Sequence, residues 1–149
     1  MEKNYDSLKL ENQLCFPLYA CAKEIIRRYK PLLDELDLTY TQYLAMMVLW
    51  EKRSVNVKEL GRCLYLDSGT LTPLLKKLET KGYISRSRST TDERNLIVEI
   101  TEKGMLLREE AVCVPEKMSA CVDLTDEEAG FLYRILYRLL KNEKSEDSF

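Results

Sequence analysis

A stripe of leucines, followed at once by two alternating segments, most constrains what this chain can fold into. Leu71, Leu74, Leu75 and Leu78 have the i, i+3, i+4, i+7 spacing of one buried helix face. Gly82 stands where a helix C-cap is expected. The runs YISRSRS and NLIVEI then alternate polar and apolar residues around the polar TTDER. This order predicts a helix packed on a core and followed by a two-stranded hairpin with a charged tip.

Capping signals divide the rest of the chain into helices. Apolar residues recur every three or four positions from about residue 8 to 36, which predicts a first long helix. A residue suited to capping precedes four of the later helices, and most of these caps have Glu or Gln three residues further on. The caps are Thr39 with Gln42, Asn56 with Glu59, Thr101, and Thr125 with Glu128. The helix that Thr101 begins is expected to bend or break at Pro115, and the last helix to run to about residue 141.

This order of elements predicts a mainly α fold: a winged helix-turn-helix flanked by N- and C-terminal helices. At 149 residues, one domain over 1–149 is expected. The winged helix-turn-helix would occupy about 40–100. The outer helices, about 8–36 and 101–141, carry more apolar surface than one small domain readily covers. Dimerisation through these helices is the simplest way to bury that surface.

Composition excludes several classes of protein. The chain has no histidine, so enzymes built on Ser-His or Cys-His pairs are excluded and the commonest metal ligand is missing. The five cysteines lack CxxC spacing, which argues against a disulfide framework or a zinc ribbon. No cofactor is expected. Without an apolar run of roughly 20 residues or a secretory signal, we expect a cytosolic protein with no membrane partner.

Positive charge is concentrated in the middle of the chain. The net charge is −2, yet Lys58 to Arg94 carries eight basic and five acidic side chains, a net charge of +3. In a helix-turn-helix, short polar side chains on the second helix can contact base edges, and lysines and a hairpin arginine can reach phosphates or a narrow minor groove. The candidates are Asp67, Ser68, Gly69, Thr70, Thr72, Lys76, Lys77, Arg86, Arg88 and Arg94. The alternative to DNA binding is that the two lysines lie on a solvated helix face and the hairpin has no binding role. Pro73 leaves the start of this helix open.

Cys15 has two interpretations, an inert packed residue or a reactive thiol. Pro17 must begin or kink a helix beside it, and a helix beginning there would direct its positive dipole end at the sulfur and favour the thiolate. Tyr19 lies four residues on, on the same helix face. Tyr29 also shares that face but is roughly 21 Å along the axis, so only an antiparallel partner could bring it to the sulfur.

The other cysteines favour packing roles. Cys21 and Cys63 are expected in the core. Cys113 and Cys121 follow in or beyond the fifth helix, and one of them could resolve an oxidised Cys15 across a dimer.

Two stretches carry a family resemblance. LYLDSGTLTPLLKKLE and GYISRSRSTTDERNLIVEITEKG resemble MarR-type winged helix-turn-helix repressors, including their D-x-R wing tip at Asp92 and Arg94. ENQLCFPLYA and YKPLLDELDLTYTQYLAMMVLWE resemble the organic hydroperoxide repressor branch of that family. The resemblance covers about residues 10 to 110. At Pro17 this chain departs from the aliphatic residue of that branch.

The resemblance implies a homodimeric repressor of an inverted-repeat operator, released from DNA when an organic hydroperoxide oxidises Cys15. It implies that Tyr29 and Tyr40, with Tyr19 nearby, hydrogen-bond the reactive sulfur, and that Asp92 supports the wing. Cys121 of the other subunit, or a low-molecular-weight thiol, would resolve the oxidised sulfur. A MarR-type regulator responding to a small aromatic ligand and a thiol peroxidase remain as alternatives.

Overall fold

The computed structural model describes residues 3–92 and 94–143. The chain divides into two compact units on either side of the Pro115–Glu116 bond. The single domain expected over 1–149 stays a prediction. Within the described residues no helix is long and apolar enough to cross a membrane.

The first unit has the order of elements of a winged helix-turn-helix, which confirms the mainly α fold class. Two 3-10 turns, Asp6–Leu8 and Leu10–Asn12, precede the first helix. The elements that follow are α1 (Cys15–Asp34), α2 (Tyr40–Lys52), β1 (Ser54–Asn56), α3 (Val57–Leu64), α4 (Ser68–Thr80), β2 (Ile84–Arg88), β3 (Leu96–Ile100) and α5 (Glu102–Ala111). Two further helices are α6 (Val114–Ser119), which contains the boundary between the two units, and α7 (Asp126–Glu143) in the second unit.

The sheet has one strand more than the hairpin predicted. Its order is β1-β3-β2 and both pairs are antiparallel, with Val55 opposite Val98 and Ile84 opposite Ile100. The predicted hairpin of β2 and β3 is confirmed. Because β1 has only three residues, its sequence carries no periodicity that could have indicated it.

The first helix begins later than expected, at Cys15 rather than near residue 8. Pro17 is its third residue, a position whose N–H would have no intrahelical partner, so the proline begins the helix without a lost bond. The segment before it forms 3-10 turns instead. Side chains stabilise those turns: Asn12 donates to the Asp6 carbonyl at 2.7 Å, and Gln13 to the Ser7 carbonyl at 2.6 Å.

The core lies where the leucine stripe predicts it. Leu71, Leu74, Leu75 and Leu78 of α4 are buried against α2, α3 and the sheet. The predicted caps form: Thr39 and Gln42 make a reciprocal capping box, and Asn56, Thr101 and Thr125 each accept a backbone N–H. The helix is interrupted just before Pro115 rather than bent there, because α5 ends at Ala111 and α6 begins at Val114.

Two helices keep large apolar side chains exposed. On α1, Phe16 is 43% exposed and Tyr19 61%. On α7, Phe131 is 59% exposed and Tyr133 62%, and the Tyr133 ring contacts that of Tyr137 at a tilt of 47°. The role of the terminal helices in dimerisation stays a prediction.

Candidate DNA-binding surface and thiol site

The exposed face of α4 carries side chains that the sequence predicts to contact DNA. The opposite face is the buried leucine stripe. The exposed residues are Ser68, Gly69, Thr70, Thr72, Lys76 and Lys77. Short polar groups near the N-terminus of a helix and cations further along are what base-edge and phosphate contacts in a major groove need. The fold therefore brings these six residues together on one surface.

Asp67 caps this helix. Its Oδ1 accepts the backbone N–H of Thr70 at 2.8 Å, and its Oδ2 accepts the Thr70 hydroxyl at 3.3 Å. The hydrogen bond from the Thr70 backbone is the largest cause that holds the pKa of the Asp67 carboxyl below its ordinary value. The cap fixes the start of α4 at Ser68, which Pro73 had left open. Asp67 thus positions the N-terminal end of α4, which is predicted to contact bases, and its own base contact stays a prediction.

Pro73 lies inside α4, as the sixth residue of the helix. It has no N–H, so the carbonyl of Gly69 lacks its usual intrahelical donor. Because both residues are exposed, that carbonyl acceptor is left on the same surface as the candidate DNA contacts.

The wing tip between β2 and β3 is organised by one carboxylate. Asp92 accepts the backbone N–H of Arg94 at 3.0 Å and the side-chain amide of Asn95 at 3.2 Å. The Asn95 backbone also donates to the Asp92 carbonyl at 3.0 Å. This geometry is what a supporting role for Asp92 requires. Arg94 and Arg88 are both exposed, as minor-groove or phosphate contacts would need.

Arg86 differs from the other wing arginines. Its guanidinium donates to Glu79 of α4 at 3.0 Å, and its backbone N–H donates to the second oxygen of that carboxylate at 3.0 Å. The Arg86 side chain is only 20% exposed, and its hydrogen bond lowers the pKa of Glu79. Arg86 therefore joins β2 to α4. Its predicted DNA contact stays a prediction, now with a structural role beside it.

Cys15 is exposed at the first residue of α1. Of the two alternatives that Pro17 left, the structure has the helix beginning beside the thiol rather than kinking there. Tyr19 is exposed one turn further, with the Lys23 ammonium 5.1 Å from its ring centre. Neither residue reaches the tyrosines at the other end of α1 within one subunit, since 14 residues of helix span roughly 21 Å.

At that other end, Tyr29 contacts two tyrosines of α2. Its ring centre lies 4.9 Å from that of Tyr40 and 6.0 Å from that of Tyr43. Burial raises the pKa of all three phenols, and the neighbouring tyrosines add to the effect for Tyr40 and Tyr43. All three are therefore neutral O–H groups near pH 7. We call Tyr29, Tyr40 and Tyr43 the tyrosine cluster.

An apolar pocket of about 250 Å³ adjoins the cluster between α1 and α2. Ile26, Leu33 and Leu38 line it together with Tyr40. Arg27 and Lys30 also line it, and each is already paired with an acidic neighbour, Arg27 with Glu24 at 2.8 Å and Lys30 with Asp34 at 2.7 Å. The pocket therefore suits an uncharged alkyl or aryl group.

The remaining cysteines differ in their surroundings. The expectation that Cys21 and Cys63 are core residues is wrong in the subunit, because both are exposed. On α3 the buried residue is Leu60, one turn before Cys63. Cys113 is half-buried and near enough to Tyr43 to help raise the pKa of that phenol. Cys121 is exposed in the second unit.

Sequence reasoning missed Tyr43 and Trp50. Trp50 packs edge-on against Tyr43 at 6.1 Å between ring centres, and its indole N–H donates to the Gly104 carbonyl at 2.8 Å. The signal was available: Tyr40, Tyr43 and Trp50 are three and seven residues apart, the spacing of one helix face. This spacing alone could have identified the face of α2 that the three aromatic residues share.

Comparisons with known proteins place the chain among transcriptional regulators. A family model described as the transcriptional regulator SarA/Rot matches residues 27–110. The organic hydroperoxide resistance transcriptional regulator of Bacillus subtilis (strain 168) is 50% identical over 141 residues, covering 95% of this chain and 96% of that protein.

Solved structures agree with this comparison. AbfR of Staphylococcus epidermidis is 35% identical, with a TM-score of 0.73 over 94% of this chain and 97% of that one. Overoxidized AbfR bound to DNA has a TM-score of 0.75 at 35% identity, covering 92% of this chain and 96% of that one. The MepR–DNA complex of S. aureus has a TM-score of 0.77 at 20% identity and supports the fold alone.

Proposed function

The chain belongs to the MarR family of winged helix-turn-helix regulators, in its organic hydroperoxide repressor branch, and we propose that it represses transcription as a homodimer until an organic hydroperoxide oxidises Cys15. Oxidation then releases the operator. Under this proposal the protein is a cytoplasmic regulator and not an enzyme.

The observation that carries the proposal is the separation of Cys15 from the tyrosine cluster along α1. Cys15 is exposed at the first residue of α1, and the tyrosine cluster lies at the other end, where Tyr29 contacts Tyr40. If α1 pairs antiparallel with its copy, each thiol meets the tyrosine cluster of the partner subunit. The dimer would then contain two sites, each formed by the thiol of one subunit and the tyrosine cluster of the other. Tyr19, one turn after Cys15, would lie at the edge of each site.

The apolar surface left on the terminal helices supports such a dimer. Large side chains of α1 and α7 stay exposed in the subunit, among them Phe16, Tyr19, Phe131 and Tyr133. Symmetric pairing removes these surfaces from water. It also presents two copies of α4, which can enter successive major grooves of an inverted repeat, with half-sites roughly 34 Å apart.

The chemistry is a two-electron oxidation of the thiol. The Cys15 thiolate attacks the distal oxygen of the hydroperoxide, an S–O bond forms, the O–O bond breaks, and the alkoxide takes up a proton to leave as an alcohol. The neutral phenols of Tyr29 and Tyr40 can donate hydrogen bonds to the sulfur and to the developing alkoxide. Burial favours their protonated form. A second thiol, Cys121 of the other subunit or a low-molecular-weight thiol, then displaces water to give a disulfide.

The apolar pocket beside Tyr40 supports an organic hydroperoxide rather than hydrogen peroxide as the signal. An alkyl or aryl group gains free energy by leaving water for the surfaces of Ile26, Leu33 and Leu38. Hydrogen peroxide has no such group.

The function is tested by fluorescence anisotropy on DNA from upstream of the protein's own gene, with and without tert-butyl hydroperoxide. The reduced wild-type protein should bind this DNA and release it on oxidation. Cys15→Ser should bind the DNA and remain bound in the presence of the hydroperoxide. A Cys15→Ser protein that still leaves the DNA would instead indicate a response to a small ligand. Continuous hydroperoxide consumption with a reductant, without operator binding, would indicate a thiol peroxidase.

The dimeric site is tested with mixed dimers prepared with two different tags. One dimer pairs a Cys15→Ser subunit with a Tyr29→Phe, Tyr40→Phe subunit, so the remaining thiol faces the tyrosines of its partner. The control dimer carries all three substitutions in one subunit, and its remaining thiol faces two phenylalanines. We expect sulfenate to form faster in the first dimer. The opposite order would mean that each thiol uses the tyrosines of its own subunit.

A further inference from the structure

One face of α2 continues the tyrosine cluster toward the wing. Tyr40, Tyr43, Met47 and Trp50 are spaced three, four and three residues apart, so they lie on one stripe of the helix. Tyr43 is 3% exposed and contacts both Tyr29 and Trp50. The aromatic contacts therefore run unbroken from the proposed thiol-facing phenols to the end of α2.

Trp50 is the point where this row of contacts meets the base of the wing. Its indole N–H donates to the carbonyl of Gly104, 54 residues away on the first turn of α5. Side-chain hydrogen bonds that join such distant segments fix the two elements in one arrangement. Trp50 thus connects α2 to α5.

Gly104 itself is closely packed against Tyr83, in the connection between α4 and β2, and against Ile100 at the end of β3. A Cβ there would overlap the Tyr83 carbonyl and lie 2.8 Å from Ile100 Cγ1. The Tyr83 carbonyl also accepts the Thr101 N–H at 3.0 Å, and the Thr101 hydroxyl donates to Gly82 at 2.6 Å. Gly82 and Tyr83 connect the DNA-facing α4 to β2. A displacement of Gly104 therefore moves the backbone that holds both α4 and the wing.

We propose that Trp50 is a positioning residue that couples the tyrosine cluster to the DNA-binding surface through its hydrogen bond to Gly104. This inference rests on the proposed function, because the signal it transmits is the oxidation of Cys15 against the cluster. Close-packed interiors shift between discrete arrangements rather than deform gradually. Oxidised sulfur that displaces Tyr29 or Tyr40 moves Tyr43, then Trp50, and the indole N–H carries the shift to Gly104.

A purely structural Trp50 would stabilise both the reduced and the oxidised protein equally. If Trp50 couples the two sites, it also changes the difference in operator affinity between the reduced and the oxidised protein. The quantity that separates these roles is the ratio of operator Kd in the oxidised and reduced protein.

The test exploits the single tryptophan of the chain. Biosynthetic replacement by β-(benzothiophen-3-yl)alanine exchanges the indole N–H for sulfur and keeps the ring shape, and 5-fluorotryptophan keeps the N–H as the matched control. Loss of one hydrogen bond should reduce the oxidised-to-reduced Kd ratio about three- to tenfold. The rate of Cys15 sulfenate formation and the Kd of the reduced protein should stay as in wild type. An unchanged Kd ratio would overturn the proposal.

A second measurement needs no loss of the hydrogen bond. In the 5-fluorotryptophan protein, treatment with tert-butyl hydroperoxide should shift the 19F resonance of residue 50, and Cys15→Ser should abolish that shift. A resonance that stays in place while DNA is released would also overturn the coupling. Failure of the proposed function gives a different result, since the unlabelled wild type would then show no hydroperoxide-dependent release at all.

Discussion

Gly104→Ala tests the packing at the base of the wing. The new Cβ would overlap the Tyr83 carbonyl and lie 2.8 Å from Ile100 Cγ1, so backbone atoms rather than a flexible side-chain end must move. Overpacking a close-packed site costs about 1 to 3 kcal/mol, and so short a contact places this variant at the upper end. Removing a helical glycine offsets up to about 1 kcal/mol. We expect a net loss of about 2 kcal/mol in the free energy of unfolding.

Gly130→Ala on α7 is the matched control. There a Cβ meets only Arg134 Nη1, at 3.8 Å. Without a clash, the helix propensity of alanine should raise the free energy of unfolding by up to about 1 kcal/mol. Both variants are measured by urea denaturation at one fixed protein concentration, since unfolding of a dimer depends on concentration. Equal effects, or a stabilised Gly104→Ala, would refute the reasoning.

Further predictions concern a helix cap, the wing and the tyrosine cluster. Thr39→Ala removes the capping box of α2 and should lower the free energy of unfolding by about 1 kcal/mol in the same urea assay. Arg94→Ala should weaken operator binding and reduce the slope of log K against log salt by about 1; an unaltered slope would exclude a phosphate contact at the wing tip. Burial raises the pKa of Tyr29, Tyr40 and Tyr43. The protonated phenols therefore stabilise the folded protein fully below about pH 10, the ordinary pKa of tyrosine. This contribution is lost as the pH rises through the raised pKa values of the folded protein. Phenolate absorbance during alkaline titration should show Tyr29, Tyr40, Tyr43 and Tyr83 titrating late, because burial also raises the pKa of Tyr83, and one fewer such tyrosine in Tyr40→Phe.

Local signals predicted much of the fold. The leucine stripe of α4 is buried as its spacing indicates, and the caps at Thr39 and Asn56 form, because both signals depend on neighbours within one helical turn. The strand β1 escaped prediction because three residues carry no periodicity and its partner β3 is about forty residues away. The late start of α1 depended on side chains of Asn12 and Gln13 that fold back on the preceding segment.

The candidate site was predictable in its residue types more than in its contacts. Sequence pattern placed the exposed polar face of α4, and family resemblance supplied Tyr40. Neither indicated that Arg86 pairs with Glu79, because an ion pair between a strand and a helix depends on their packing. The hydrogen bond from Trp50 to Gly104 depends on the tertiary fold in the same way, although helical spacing alone places Trp50 on the same face of α2 as Tyr40 and Tyr43.

Under the proposed function, oxidation of Cys15 releases the operator. One titration measures both events in the same sample: tert-butyl hydroperoxide is added stepwise, fluorescence anisotropy reports the fraction of DNA still bound, and mass spectrometry of quenched aliquots reports the fraction of Cys15 still a thiol. We expect the two fractions to fall together and Cys15→Ser to stay bound to DNA throughout. DNA released while Cys15 remains a thiol would contradict it.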